Sequence, residues 1–167
     1  MKKDIYFDRR FGPGWPPLHD LEPYFRLPPH GCGWFHKTGN DSAGLDLIGV
    51  EGTEHLPEGQ GRIDIRLSMW GNPDLGVLLI YEKVGGGHME GYCSKGDMSR
   101  IREWVRSLHD TPLPVGLFIS FDRAWNAVKE FMKTEGNLPT SIDWVKGSDL
   151  PPGTFPDPTV RLPWEDH

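Results

Sequence analysis

Apolar and polar side chains alternate along residues 62–70, with Ile63, Ile65, Leu67 and Met69 set against Asp64, Arg66 and Ser68. A period of two predicts a strand with one buried and one wet face. Gly71-Asn72-Pro73-Asp74 then reads as a turn. Residues 76–84 are apolar almost throughout, as in a central strand covered on both sides. Gly85-Gly86-Gly87 turns the chain into a third run at 88–94, and the three runs predict an antiparallel meander. The pattern then changes to a helical period. Ile101, Trp104, Val105 and Leu108 fall at i, i+3, i+4 and i+7 behind Asp97, predicting a helix that ends before Asp110-Thr111-Pro112. A second helix follows a short apolar run at 117–119. Ser120 is its cap, Ala124, Trp125, Val128, Phe131 and Met132 form its apolar face, and Gly136 closes it. Residues 141–145 predict a returning strand.

The flanks are less regular. Gly12-Pro13-Gly14-Trp15-Pro16-Pro17 and Leu27-Pro28-Pro29 break regular structure, so residues 18–25 hold one helical turn at most. Trp15, Tyr24 and Phe25 predict an arm packed on the domain, because disordered segments are poor in aromatics. Residues 33–37 and 45–50 read as a hairpin and 51–61 as a loop. The Pro-rich tail, 148–167, is expected to be extended and docked by Leu150, Phe155 and Trp164. The expected fold is α+β: one domain over 1–167, an antiparallel sheet with two main helices on one face, a Pro/Gly-rich N-terminal arm and a C-terminal tail.

Charge narrows the function classes. The formal net charge is −6, shared as −3 by residues 1–60 and −3 by 61–167. Such a field repels nucleic acid and anionic membranes but suits a basic protein partner. Cys32 and Cys93 make no disulfide framework, and the N-terminus lacks an apolar signal region, so a reduced cytoplasmic chain is expected.

No catalytic set stands out. His30, Cys32 and His36 form the densest metal-like cluster, but a zinc site needs a second ligand pair. His88-Met89-Glu90 matches half of a zinc deaminase motif, and the Cys-x-x-Cys half is missing from the sequence. Gly85-Gly86-Gly87 lacks the Lys-Ser/Thr of a phosphate loop, and no Gly-x-Ser-x-Gly elbow presents a nucleophile. Neither a metal nor another cofactor is expected. Of seven Trp, Trp70 ends a strand beside a turn, where a ring either packs inward or anchors a partner.

Two segments together carry a family resemblance. One is Met69-Trp70-Gly71-Asn72-Pro73 with the strand bearing Leu78 and Tyr81. The other holds Ala124, Ala127, Val128, Phe131, Gly136, Pro139 and Trp144, an Ala-x-x-Ala-Val-x-x-Phe helix followed by Gly-x-x-Pro and a strand with Trp. In these the chain resembles the Imm1 family of bacterial immunity proteins, over roughly residues 62–146; 1–60 and 147–167 are extensions docked on that domain. The resemblance implies a non-enzymatic α+β protein that binds and neutralises a cognate toxin by occluding its active site. It also implies a toxin of deaminase or nuclease type, with a basic site complementary to an acidic inhibitor. The expected contact residues are Trp70, Asp74, Glu82, His88 and Glu90, which sequence places on the meander away from the helix faces. A small hydrolase using His and Asp, or a binding module for a partner other than a toxin, are the competing readings.

Overall fold

The computed structural model describes residues 1–7, 10–26 and 41–159. Its centre is the expected meander: β4 (Ile63–Asn72), β5 (Gly76–Gly85) and β6 (His88–Ser94). At the first turn, Asn72 Oδ1 accepts from the backbone N–H of Asp74 (2.9 Å) and Leu75 (3.0 Å). At the second, Gly85, Gly86 and Gly87 all have positive φ, the region where glycine is unstrained.

The sheet extends further than the alternation foretold. β3 (Ser42–Val50) pairs with β4. An N-terminal hairpin, β1 (Lys2–Phe7) and β2 (Arg10–Pro13), adds to the far side of β3. On the other side β10 (Trp144–Lys146) pairs with β6, and β9 (Phe118–Ile119) pairs with the start of β5. The spatial order is β10-β6-β5-β4-β3-β1-β2, antiparallel between every neighbouring pair.

One face of the sheet carries the helices. α3 (Phe121–Thr134) is the helix that Ser120 was expected to cap, and Ser120 Oγ accepts from Arg123 N–H. Its left-handed C-terminal residue is Glu135 at φ +54°, one position before Gly136, which also has positive φ. Beside it lie two single turns, α1 (Leu18–Leu21) and α2 (Pro23–Arg26), more helix than the arm's proline content suggested. Arg26 reaches Asp122 at 2.8 Å, and the Phe25 and Trp125 rings stand 5.3 Å apart. Trp15 packs on Phe131 (5.6 Å) and donates its indole N–H to Asp4 O (2.9 Å), which docks the arm. The main core thus joins Phe7, Leu45, Leu67 and Leu79 of the sheet to Phe25, Trp125 and Phe131 of the helices. The fold is α+β, with an antiparallel sheet and its helices on one side.

The helix expected over 97–108 does not form. Asp97 does cap a turn, accepting from Ser99 N–H, but the turn is a 3-10 helix at Met98–Arg100. The chain then runs into β7 (Trp104–Arg106), which pairs with β8 (Pro112–Pro114) around a bend where Ser107 Oγ accepts from His109 and Thr111 N–H. Tertiary packing overrides local periodicity here. Leu78 of β5 points away from the helices, and Ile101, Val105, Leu113, Leu117 and Phe118 close a second core over it. Leu108, which a helix would have buried, is 55% exposed. In the tail Leu150 joins this second core, whereas Phe155 is exposed. The 33–37 strand, the His30/Cys32/His36 cluster and Trp164 lie outside the described residues.

The two cores are tied by one hydroxyl. Ser94, fully buried, accepts from Leu79 N–H at 2.9 Å and donates to Leu117 O at 2.6 Å. It fills the ladder gap where β6 stops and β9 begins. Ser94→Ala strips a partner from both backbone groups, so it is expected to cost about 2–3 kcal/mol, since each buried unsatisfied group costs ~1–3. Urea unfolding should show a lower midpoint at unchanged m-value.

Candidate functional site

Strand register decides which side chains share a surface, because directly paired residues project to the same face. Away from the helices the register aligns Asp4, Asp46, Arg66, Glu82 and Gly91 in one row across β1, β3, β4, β5 and β6. A second row holds Ile48, Asp64, Val84 and Met89. Arg66 Nε lies 2.6 Å from Asp46, and Arg62 grips Asp64 at 2.8 Å. The Asp46 carboxylate raises the Arg66 pKa above its ordinary value. Asp4 and Asp46 stand directly opposite each other, a like-charge pairing that weakens a ladder.

These strands form a shallow depression of about 560 Å³, lined by Asp4, Asp46, Asp64, Glu82 and, from the β3–β4 loop, Glu58. Arg62 and Arg66 are its only cations, so the lining carries five carboxylates against two guanidiniums. Apolar groups stand on the same face. Val84 is 43% exposed and its cross-strand neighbour Met89 is 88% exposed. Phe11, paired with Tyr6 at the far edge, is 72% exposed. Among the described residues no helix packs on this part of the sheet.

The five residues expected at a partner surface do not fall on one patch. Glu82 is exposed in the middle of the depression. Trp70 shares that face but is half-buried at the end covered by the second core. Asp74 is exposed at the β4–β5 turn, and His88 lies at the other end of β5, about 30 Å away for ten residues at ~3.4 Å each. His88 and Glu90 project to the helix side, beyond the helices. His88 Nδ1 is 3.3 Å from Glu90 and its Nε2 is 3.8 Å from Glu51. Lys83 completes this group at 2.8 Å from Glu51, and its hydrogen bond holds the Glu51 pKa below the usual carboxylate range.

Asp4, Asp46, Glu58, Asp64, Val84, Met89 and Phe11 stand on this face without having been singled out from the sequence. Their signal was present on the wet side of each alternating strand, but their common surface follows from pairing alone.

The interior groups are poor nucleophiles. Burial pushes the Cys93 thiol up to about 12, so it is neutral at physiological pH. Burial likewise pushes Tyr81 up to about 12, and its hydroxyl donates to Gly136 O at 2.7 Å, closing the turn after α3. Burial raises Asp41 above the usual carboxylate range, and its Oδ2 accepts from Leu108 N–H at 3.0 Å. It serves to pin the β7–β8 bend to the start of β3. Among the described residues no three His, Cys, Asp or Glu side chains gather as a metal site, and no helix is long and apolar enough to cross a membrane.

A family model described as "Immunity protein Imm1" matches residues 63–146, half of the chain. The chain belongs to the Imm1 family. No significant similarity to a curated protein or to a solved structure accompanies the match. The Imm1 segment opens at the first residue of β4 and closes at the last of β10. It therefore supplies β4 to β10 and α3, while β1, β2, β3, α1 and α2 lie outside it. Membership of an immunity protein family gives the chain a toxin-neutralising role and a cognate toxin as its partner.

The state of Cys93 is open to a direct check. Iodoacetamide at pH 8 is expected to leave Cys93 unmodified in the native protein and to alkylate it after denaturation, read by peptide mass spectrometry.

Proposed function

We propose that this Imm1 protein acts in the cytoplasm of the producing cell as a stoichiometric inhibitor, and that it closes the active site of a toxin that works on nucleic acid. The family match over 63–146 carries the reading. The net charge of −6 supports its finer part. A nuclease or nucleobase deaminase must gather a polyanion, so the walls of its active site are basic. An acidic inhibitor is steered to the same walls and competes for them. In this reading the chain performs no chemistry, and blockade requires only that the complex outlast the toxin's encounters with substrate. The buried, neutral states of Cys93 and Tyr81 agree with it.

The test uses the cognate toxin domain. Titrating the chain into that toxin on a nucleic-acid substrate is expected to abolish turnover at a one-to-one ratio, and excess substrate should slow the onset of inhibition. Undiminished toxin activity at about tenfold molar excess of the chain would overturn the reading.

A further inference from the structure

Resting on that reading, we infer that the toxin docks on the open face of the sheet, with Val84 and Met89 as its apolar anchor and the strand carboxylates as its electrostatic seat. Three features of this face argue for it. First, the anchor is made of two side chains that touch the solvent without touching the core. Val84 and Met89 are cross-strand partners, 43% and 88% exposed, at the end of the sheet farthest from the second core. A thioether side chain adapts its shape to a partner's pocket, and a small apolar centre ringed by polar groups is how binding energy concentrates in an interface.

Second, the charge on this face selects the occupant. Arg66 is engaged by Asp46 and Arg62 by Asp64, so five carboxylates and two guanidiniums leave a net of three negative charges. That remainder attracts lysine and arginine side chains and repels a second copy of this acidic chain. Third, the face holds a like-charge pair, Asp4 opposite Asp46. Arg66 already holds Asp46 at 2.6 Å, so Asp4 is the carboxylate of the two that can meet a cation from a partner. On the opposite face α3, α1 and α2 bring Trp125, Phe131 and Phe25 onto the sheet, and the depression of about 480 Å³ beside them sets Lys83 against Glu51, Glu90 and Glu135, a smaller negative excess. The strands supply a preformed platform, so little ordering is needed on contact.

Two double variants and a control test the inference against the cognate toxin domain by surface plasmon resonance. Val84→Ala/Met89→Ala is expected to raise Kd about tenfold or more, mainly through faster dissociation. Asp4→Asn/Glu82→Gln is expected to slow association about three- to tenfold and to flatten its salt dependence. The same variant should keep or raise the thermal midpoint, which separates a binding role from a structural one. Asn126→Ala, exposed on α3 across the sheet from this face, should leave both rates unchanged. Wild-type rates in both double variants, with the toxin still bound by the native chain, would overturn the docking surface and leave the inhibitor reading intact. A native chain that fails to bind the toxin would overturn both. A wild-type homodimer dissolved by the Val84/Met89 variant would also overturn the inference, by giving this face to a second copy.

Discussion

The fold is governed by the two-sided burial of the first half of β5. Val77 and Leu79 face the helices, while Leu78 faces the other way, and all three are inaccessible to solvent. A strand buried on both faces must be covered on both. α3 and the N-terminal helical turns cover one side. The excursion from Lys95 to Phe118 has to cover the other, and a glycine lets it come close: a Cβ on Gly76 would stand 1.9 Å from Ile119 O. The second half of β5 escapes the requirement. From Glu82 onward its outward side chains meet water, and the open acidic face begins there.

The same constraint separates what the sequence disclosed from what it withheld. The meander was legible because the alternation of Ile63, Ile65, Leu67 and Met69 survives in the sheet. α3 was legible because its cap, charges and apolar stripe all agree. The 97–108 segment has an equally good helical spacing, but its apolar residues are needed over Leu78, and a 3-10 turn with a hairpin delivers them there. Residues 1–13 were given no strand because their strand character depends on β3, forty residues on. The candidate surface was legible only residue by residue. Glu82 could be picked out as polar on an apolar strand, but only the register brings it into line with Asp46 and Asp4.

An immunity protein built this way divides its labour between segments. The Imm1 segment provides the central strands and the long helix, and the N-terminal residues widen the platform with β1, β2 and β3. Asp4, Phe11 and Asp46 come from those added strands, whereas Glu82, Val84 and Met89 come from the family's own. The acidic face is thus a composite, and its rigidity rests on the long β3–β4 ladder that joins the two parts.

The position of α3 late in the chain has a consequence for synthesis. β1 to β5 are synthesised by residue 85, yet the helix that shields their apolar side is not finished until residue 134. At translation rates of about 5–20 residues per second, the nascent sheet spends roughly 2–10 s with Leu45, Leu67 and Leu79 unshielded. Ribosome-bound chaperones have their natural client window in that interval, and a chain truncated within it would release a sticky, half-roofed sheet.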